Sequence, residues 1–260
     1  MSSPTTRNAG AQQRLLGLDA LRIVAAALVV FYHFGEFDIT SPIATVYASV
    51  RAFPLLQPAA SIGSIGVEVF FLISGFVITA SAAHSTANAF ARNRLIRLAP
   101  ALWTSCLVAL AARAIAGEPL GALIEATAKS AILSPVGPYI DGVVWTLIVE
   151  AVFYLMIYAI LRTRGPAAFH ALAVSLGMAS GVYLVVLFAV GAIAHPSPAV
   201  VHLLDVLKRF PFKVLLLRDG VFFALGMLLW GALRNDATRR HPGVVALLIP
   251  LCVLEVNIDG

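Results

Sequence analysis

The sequence predicts an all-α, polytopic integral membrane protein with about seven transmembrane helices. Hydrophobic residues make up 60% of the 260 residues, charged residues make up only 12%, and the mean hydropathy is +0.92. Because a soluble domain carries about 25% charged residues, this apolar excess excludes an ordinary soluble fold. Open sheet edges are not tolerated in lipid, and the spanning segments must therefore be helices.

Seven apolar segments are candidates for spanning helices. They cover residues 15–35, 66–83, 99–116, 143–161, 167–194, 219–233 and 242–256. The stretch 167–194 is either one long span or two short ones. Segment 117–142 predicts a loop that contains a short amphipathic helix, and 199–217, which mixes charges with leucines, predicts an interfacial helix. The chain is thus divided into a polar N-terminal tail, 1–14, and one transmembrane domain, 15–260.

Basic residues near the ends of the spans predict the orientation in the membrane. If successive spans cross the membrane in alternating directions, three groups of basic residues fall on one side of the membrane. That side is therefore predicted to be cytoplasmic and to hold the N-terminus. The basic stretch 208–218 lands on the opposite side if 167–194 is one span, and this conflicts with the rule. We interpret the net charge of +5 as a topology signal, because no basic domain of the kind that binds nucleic acid is present. The three groups are Arg7 with Arg14, then Arg92, Arg94 and Arg97 in a short loop expected before the third span, then Arg162 with Arg164.

Arg22 and His33 are the most informative pair of residues in the first span. Eleven helical steps return the azimuth to within about 20° over a rise of about 16 Å, so both side chains lie on one stripe. Ionisable groups at membrane depth are costly and indicate a functional site. The alternative is that Arg22 pairs with Asp19 or extends to the membrane interface, with His33 in the outer interface.

Two glutamates are candidates to join His33. On the alternating topology, Glu68 near the start of the second span and Glu150 in the fourth span lie at the depth of His33, and Glu36 is a further candidate. A histidine beside a carboxylate is suited to proton abstraction, because the carboxylate orients the ring and stabilises the imidazolium. The alternative is that these groups only make hydrogen bonds between packed helices.

The fourth span carries a polar stripe with a four-residue period. A stripe of this kind faces the bundle interior and serves either helix packing or substrate contact. Trp145 beside it is either an interfacial belt residue or an acceptor contact. The stripe consists of Thr146, Glu150, Tyr154 and Tyr158.

Arg94 and Arg97 lie three residues apart, on one face of a helix at the predicted cytoplasmic edge. Arginine side chains suit bidentate phosphate recognition, although two arginines here are more typical of a positive-inside anchor. The dipeptide Ser74-Gly75 predicts close helix packing or a kink, and Ser74 lacks the surroundings of a catalytic nucleophile. No metal-ligand cluster, phosphate loop or dinucleotide fingerprint is present, so no metal is predicted.

Four sequence signatures occur in a set order along the first 160 residues. They are LDALR (18–22) followed by His33, GVEVFFLISGF (66–76), RLIRLAP (94–100), and WTLIVE (145–150) followed by Phe153-Tyr154. Together these signatures resemble the membrane-bound acyltransferase family 3. A weaker match is FFALGM at 222–227, and the rest of 165–260 is only loosely similar.

The resemblance implies a bacterial inner-membrane O-acyltransferase that moves an acyl group, often acetyl from acetyl-CoA, to a hydroxyl of a glycan, lipid or small molecule. It implies that Arg22 and His33 are essential and that Arg94 and Arg97 meet the acyl donor. Glu68 and Glu150, which share the expected depth of His33, are placed in the catalytic group as residues that orient or charge the histidine. The expected partners are the lipid bilayer, the acyl-CoA donor and a glycan or lipid-linked acceptor, with no bound cofactor.

Trp145 and Tyr154 are then expected to contact the acceptor. The family usually has about ten spanning helices, so the chain is expected to lack C-terminal helices. Two alternatives stay open at this point. One is a transporter or flippase with an intramembrane His/Glu proton relay, and the other is an inactive truncated homologue.

Overall fold

The computed structural model describes residues 17, 20–33, 63, 65–193, 197–234 and 242–259, with side chains up to Val256 in the last range. These residues form helices and turns and no strand, which confirms the all-α prediction. A short 3-10 helix, Pro166–Ala168, precedes α6. The α-helices are α1 (Ala20–Tyr32), α2 (Ile65–Ala82), α3 (Ala87–Ile115), α4 (Leu120–Ala131), α5 (Val144–Thr163), α6 (Phe169–Gly191), α7 (Pro198–Leu207), α8 (Phe210–Val214), α9 (Gly220–Leu233) and α10 (Pro242–Asp259).

Each of the seven predicted spans overlaps one of these helices. Among the described residues, α2, α3, α5 and α6 with its preceding turn are long and apolar enough to cross a membrane, whereas α1, α9 and the described part of α10 are shorter apolar helices. Segment 167–194 is one helix, α6. The predicted amphipathic helix in 117–142 is α4, and the predicted interfacial helix in 199–217 is divided into α7 and α8.

One boundary was wrong. The arginines of 92–97 were assigned to a loop before the third span, but they lie inside α3, which begins at Ala87 and runs for 29 residues. The Thr86 hydroxyl accepts a hydrogen bond from the Ala89 N–H, and this N-cap starts the helix well before the apolar stretch. Pro100 lies within the same helix and does not end it.

The centre of the bundle is the crossing of α2 and α9. A Cβ atom added to Gly75 would lie 2.2 Å from the Phe223 carbonyl oxygen, and one added to Gly226 would lie 2.1 Å from the Leu72 carbonyl oxygen. The two backbones therefore touch directly, as small residues allow at helix interfaces in membranes. Gly75 is the residue for which the sequence predicted close packing or a kink.

Aromatic side chains surround this crossing. The Phe223 ring of α9 lies between two others: its centroid is 4.9 Å from that of Phe71 in α2 and 4.5 Å from that of Phe153 in α5. All three side chains are buried, so they tie α2, α5 and α9 into one core. Helix α6 packs on the other side of α9, and α10 packs against α6 and α9.

The bundle has two chemically different ends. At the first, which we call the basic end, α2, α5 and α9 finish and α3 begins. There the Arg94 guanidinium donates to the Ser81 hydroxyl, the Tyr158 hydroxyl lies 3.5 Å from Asn88 Oδ1, and Arg234 contacts His84. At the other, which we call the cavity end, α2, α5 and α9 begin.

Candidate functional site

A cavity of about 880 Å³ opens at the cavity end, inside the bundle. Its walls come from α1, α2, the start of α5, the α8–α9 segment and the end of α10. The volume lies in the usual range of small-molecule sites, about 300–1,000 Å³. The wall is largely apolar but carries three basic and three acidic side chains: Arg22, His33, Lys213, Glu68, Glu150 and Asp219.

The four residues predicted to be catalytic all line this cavity. Arg22 and His33 reach it from α1, Glu68 from the first turn of α2 and Glu150 from α5. The stripe of Arg22 and His33 predicted on the first span therefore faces this cavity. The carboxylate of Glu68 is well placed in its helix, because the positive end of the helix dipole favours an acidic group in the first turn. Asp19 and Glu36 lie outside the described residues.

The hydrogen bond of the His33 ring defines its tautomer. Nδ1 lies 2.8 Å from the Val29 carbonyl oxygen, one turn earlier in the same helix. Since a carbonyl oxygen can only accept, Nδ1 carries the hydrogen, and Nε2 bears the lone pair in the neutral ring. This is the protonation pattern of a histidine that acts as a base through Nε2.

The Glu150 carboxylate is held by two hydroxyl groups from different helices. The Ser74 hydroxyl of α2 donates to Glu150 Oε1 over 2.9 Å, and the Tyr154 hydroxyl of α5 donates to the same oxygen over 2.8 Å. Ser74 lines the cavity, whereas Tyr154 lies behind Glu150 and is not part of the cavity wall. The predicted polar stripe of α5 therefore does face the bundle interior.

The paired arginines lie away from the cavity. The Arg94 side chain is partly buried, with its guanidinium carbon 5.4 Å from the Phe90 ring centroid and 5.7 Å from the Tyr154 centroid. Arg97 is exposed, so the two side chains have different surroundings although they lie within one turn of α3. Neither is among the residues that line the cavity.

Two ionisable cavity residues, Lys213 and Asp219, were not predicted as site residues, and neither was Ser74. The Lys213 ammonium lies 4.4 Å from the Trp145 ring centroid and covers one face of that indole. Asp219, only 3% exposed, directly precedes α9. In the sequence, Lys213 and Asp219 are recognisable only as ionisable residues near a strongly apolar helix. That pattern does not show whether such a residue faces a cavity.

A buried ion pair lies next to this wall. Arg218 Nε is 3.1 Å from Glu255 Oε1, and the side chains of the pair are 6% and 1% exposed. Lys213 and Arg218 belong to the basic stretch that conflicted with the predicted topology. The structure places both residues at the cavity end. The Lys213 ammonium lies over the Trp145 ring, and the Arg218 guanidinium donates to the Glu255 carboxylate. Their positions are thus explained by contacts within the protein.

These features define a multi-pass membrane protein with a polar, ionisable cavity inside a helical bundle. Within the described part of the chain, no three His, Cys, Asp or Glu side chains are grouped so that they could hold a metal ion. A family model described as an acyltransferase domain matches residues 15–258. The chain belongs to this family, the membrane acyltransferase family 3, and is an acyltransferase. No curated protein and no solved structure matches the chain significantly.

Proposed function

We propose that this acyltransferase moves an acetyl group from acetyl-CoA to a hydroxyl of a carbohydrate or of another cell-envelope or small-molecule acceptor. The observation that carries the proposal is the meeting of His33 with Glu68 and Glu150 around one cavity, from three separate helices. A base, carboxylates that can orient it and a cation, Arg22, are the groups that hydroxyl activation and acyl transfer require.

In the proposed reaction, Nε2 of His33 takes the proton of the acceptor hydroxyl as its oxygen attacks the thioester carbonyl carbon. The carbon–sulfur bond then breaks, and the thiolate of coenzyme A recovers the proton from the imidazolium. Glu150 or Glu68 orients the ring or stabilises its charge. In the alternative, Nε2 attacks the thioester carbonyl carbon, the carbon–sulfur bond breaks and the thiolate of coenzyme A leaves. The acceptor oxygen then attacks the acyl-histidine, the nitrogen–carbon bond breaks, and the hydroxyl proton passes to the thiolate.

The donor is proposed to approach from the basic end, which the positive-inside rule assigns to the cytoplasm of a bacterial inner membrane, with the N-terminus on that side. Arg94 and Arg97 would meet its phosphates. In support, the Arg94 guanidinium lies at the basic end beside Ser81, where an arginine would offer a phosphate two parallel donors. Arg22 would hold polar groups of the pantetheine arm, and Trp145 would contact the acceptor.

His33→Ala tests the central role. We expect transfer to become undetectable in cells, because general base catalysis contributes about 10²–10⁴-fold, while the amount of protein in the membrane is unchanged. The matched control is His202→Ala, which removes an exposed histidine on α7 and should leave transfer intact. Acceptor acetylation at the wild-type level in His33→Ala would reject this role.

Radiolabelled acetyl-CoA added to membranes separates the enzyme from a transporter that uses the same residues as a proton relay. Label on a glycan or other acceptor supports acyl transfer with His33 as base, and label on the protein that His33→Ala removes supports the acyl-histidine route. Proton-dependent uptake of a solute without any acylation would instead support a transporter.

A further inference from the structure

The Glu150 carboxylate is held asymmetrically. The hydroxyls of Ser74 and Tyr154 both donate to Oε1, and neither of them donates to Oε2. Glu150 also lines the cavity, so Oε2 is the carboxylate oxygen that these two hydroxyls leave available to a group bound there. A carboxylate held through a single oxygen keeps a defined direction, because rotation about its terminal bond would break both hydrogen bonds.

The two donors are themselves held in place. The Tyr154 ring packs edge-on against Phe90, with the ring centroids 6.3 Å apart, and the Arg94 guanidinium lies over it. Ser74 directly precedes Gly75, where the α2 backbone touches that of α9. Neither hydroxyl is therefore carried on a mobile segment, and Glu150 is fixed by two rigid elements.

We propose that Ser74 and Tyr154 are positioning residues, which hold Glu150 with one carboxylate oxygen directed to the reacting groups. The proposal rests on the acyl transfer proposed above and assigns Tyr154 a role through Glu150 in place of direct contact with the acceptor. Its position behind Glu150, outside the cavity wall, supports this assignment. Arg94 at the basic end contacts the Tyr154 ring, and the Tyr154 hydroxyl in turn holds Glu150 in the cavity wall.

The kinetic test uses the purified full chain in lipid nanodiscs, with Ser74→Ala and Tyr154→Phe each made in the wild type and in Glu150→Gln. The donor is acetyl-CoA, and the acceptor is the compound that takes the radiolabel in the membrane experiment above. We expect each substitution to lower kcat about tenfold to a hundredfold, the size of one lost hydrogen bond to a charged group. Both KM values should stay within about twofold. In the Glu150→Gln background neither substitution should lower kcat further, because the oxygen they position has already lost its function.

The matched control is Tyr158→Phe, which removes a hydroxyl one turn further along α5, 3.5 Å from Asn88 Oδ1. It should leave kcat unchanged. If Tyr158→Phe lowers kcat as much as Tyr154→Phe does, or if the losses persist in full in Glu150→Gln, the residues act only through general packing and the proposal fails. A higher acceptor KM with unchanged kcat would overturn it too, because it would indicate direct contact with the acceptor.

Infrared spectroscopy tests the positioning without any turnover. The difference between wild type and Glu150→Gln isolates the bands of the Glu150 carboxyl group. Tyr154→Phe and Ser74→Ala should shift these bands, and Tyr158→Phe should not. Unchanged bands in both variants would overturn the proposal. If instead the wild type transfers no acyl group but the bands shift, the proposed function fails while the positioning of Glu150 stands.

Discussion

Adding one methyl group at the α2–α9 crossing should destabilise the protein strongly. In Gly75→Ala the new Cβ would lie 2.2 Å from the Phe223 carbonyl oxygen, and in Gly226→Ala it would lie 2.1 Å from the Leu72 oxygen. Both distances are shorter than an ordinary van der Waals contact by more than about 1 Å. Because the opposing atoms are backbone, no change of rotamer can relieve the clash, and the helices must move apart.

Overpacking of this kind costs typically about 1–3 kcal/mol, and the backbone contact puts each substitution at the upper end. A loss of about 3 kcal/mol corresponds to a fall in Tm of about 6–12 °C for a chain of this size. The effects of the two substitutions should not add, because the separation forced by the first makes room for the second. The assay is thermal unfolding of detergent-solubilised protein, followed by the loss of its monodisperse peak.

The matched control is Gly121→Ala in α4, where an added Cβ meets nothing within 4 Å. It should leave Tm unchanged or raise it slightly, since alanine is the better helix former by up to about 1 kcal/mol. A Tm in Gly75→Ala and Gly226→Ala within about 2 °C of the wild type would refute the direct backbone contact. The placement of α2, and with it the cavity wall, would then need revision.

Three further predictions concern charged side chains. Arg94→Lys with Arg97→Lys keeps the positive-inside charge but loses bidentate geometry, so the donor KM should rise about tenfold to a hundredfold in membrane assays; an unchanged donor KM would make both residues topological anchors. Glu255→Gln removes the buried counter-charge of Arg218 and should cost about 3–5 kcal/mol in thermal unfolding, whereas a Tm equal to that of the wild type would contradict the ion pair. Lys213→Ala uncovers the indole on which the ammonium lies, so the acceptor KM should fall about twofold to fivefold with the donor KM unchanged; a rise would show that the lysine itself binds the acceptor.

The helices and much of the site could be predicted from the sequence because they depend on local patterns. Apolar stretches of sufficient length must be helical in lipid, and each predicted span does overlap a helix. The depth of an ionisable residue within its span also follows from residue counting. For this reason His33, Glu68 and Glu150 were expected at one level before any contact was known, and all three line one cavity.

Counting residues along the chain does not show in which direction a side chain points around its helix, or which residue of another helix it contacts. Arg94 and Arg97 look equivalent along the chain, but only Arg94 is turned towards the Tyr154 ring, while Arg97 is exposed. The start of α3 was misplaced by about three turns, because a basic stretch was taken to be a loop. The Thr86 cap and the packing of Phe90 keep that stretch helical.

By itself, the sequence determined that this protein is a helical membrane acyltransferase and which ionisable residues are expected at membrane depth. Both depend on composition, periodicity and short motifs, which are properties of the chain in one dimension. Only the tertiary structure decided that Ser74 and Tyr154 share one oxygen of Glu150, that Lys213 lies on Trp145, and that Asp219 joins the cavity. These contacts join residues from separate helices, and they depend on how the bundle packs around the crossing of α2 and α9, where glycines let two backbones touch.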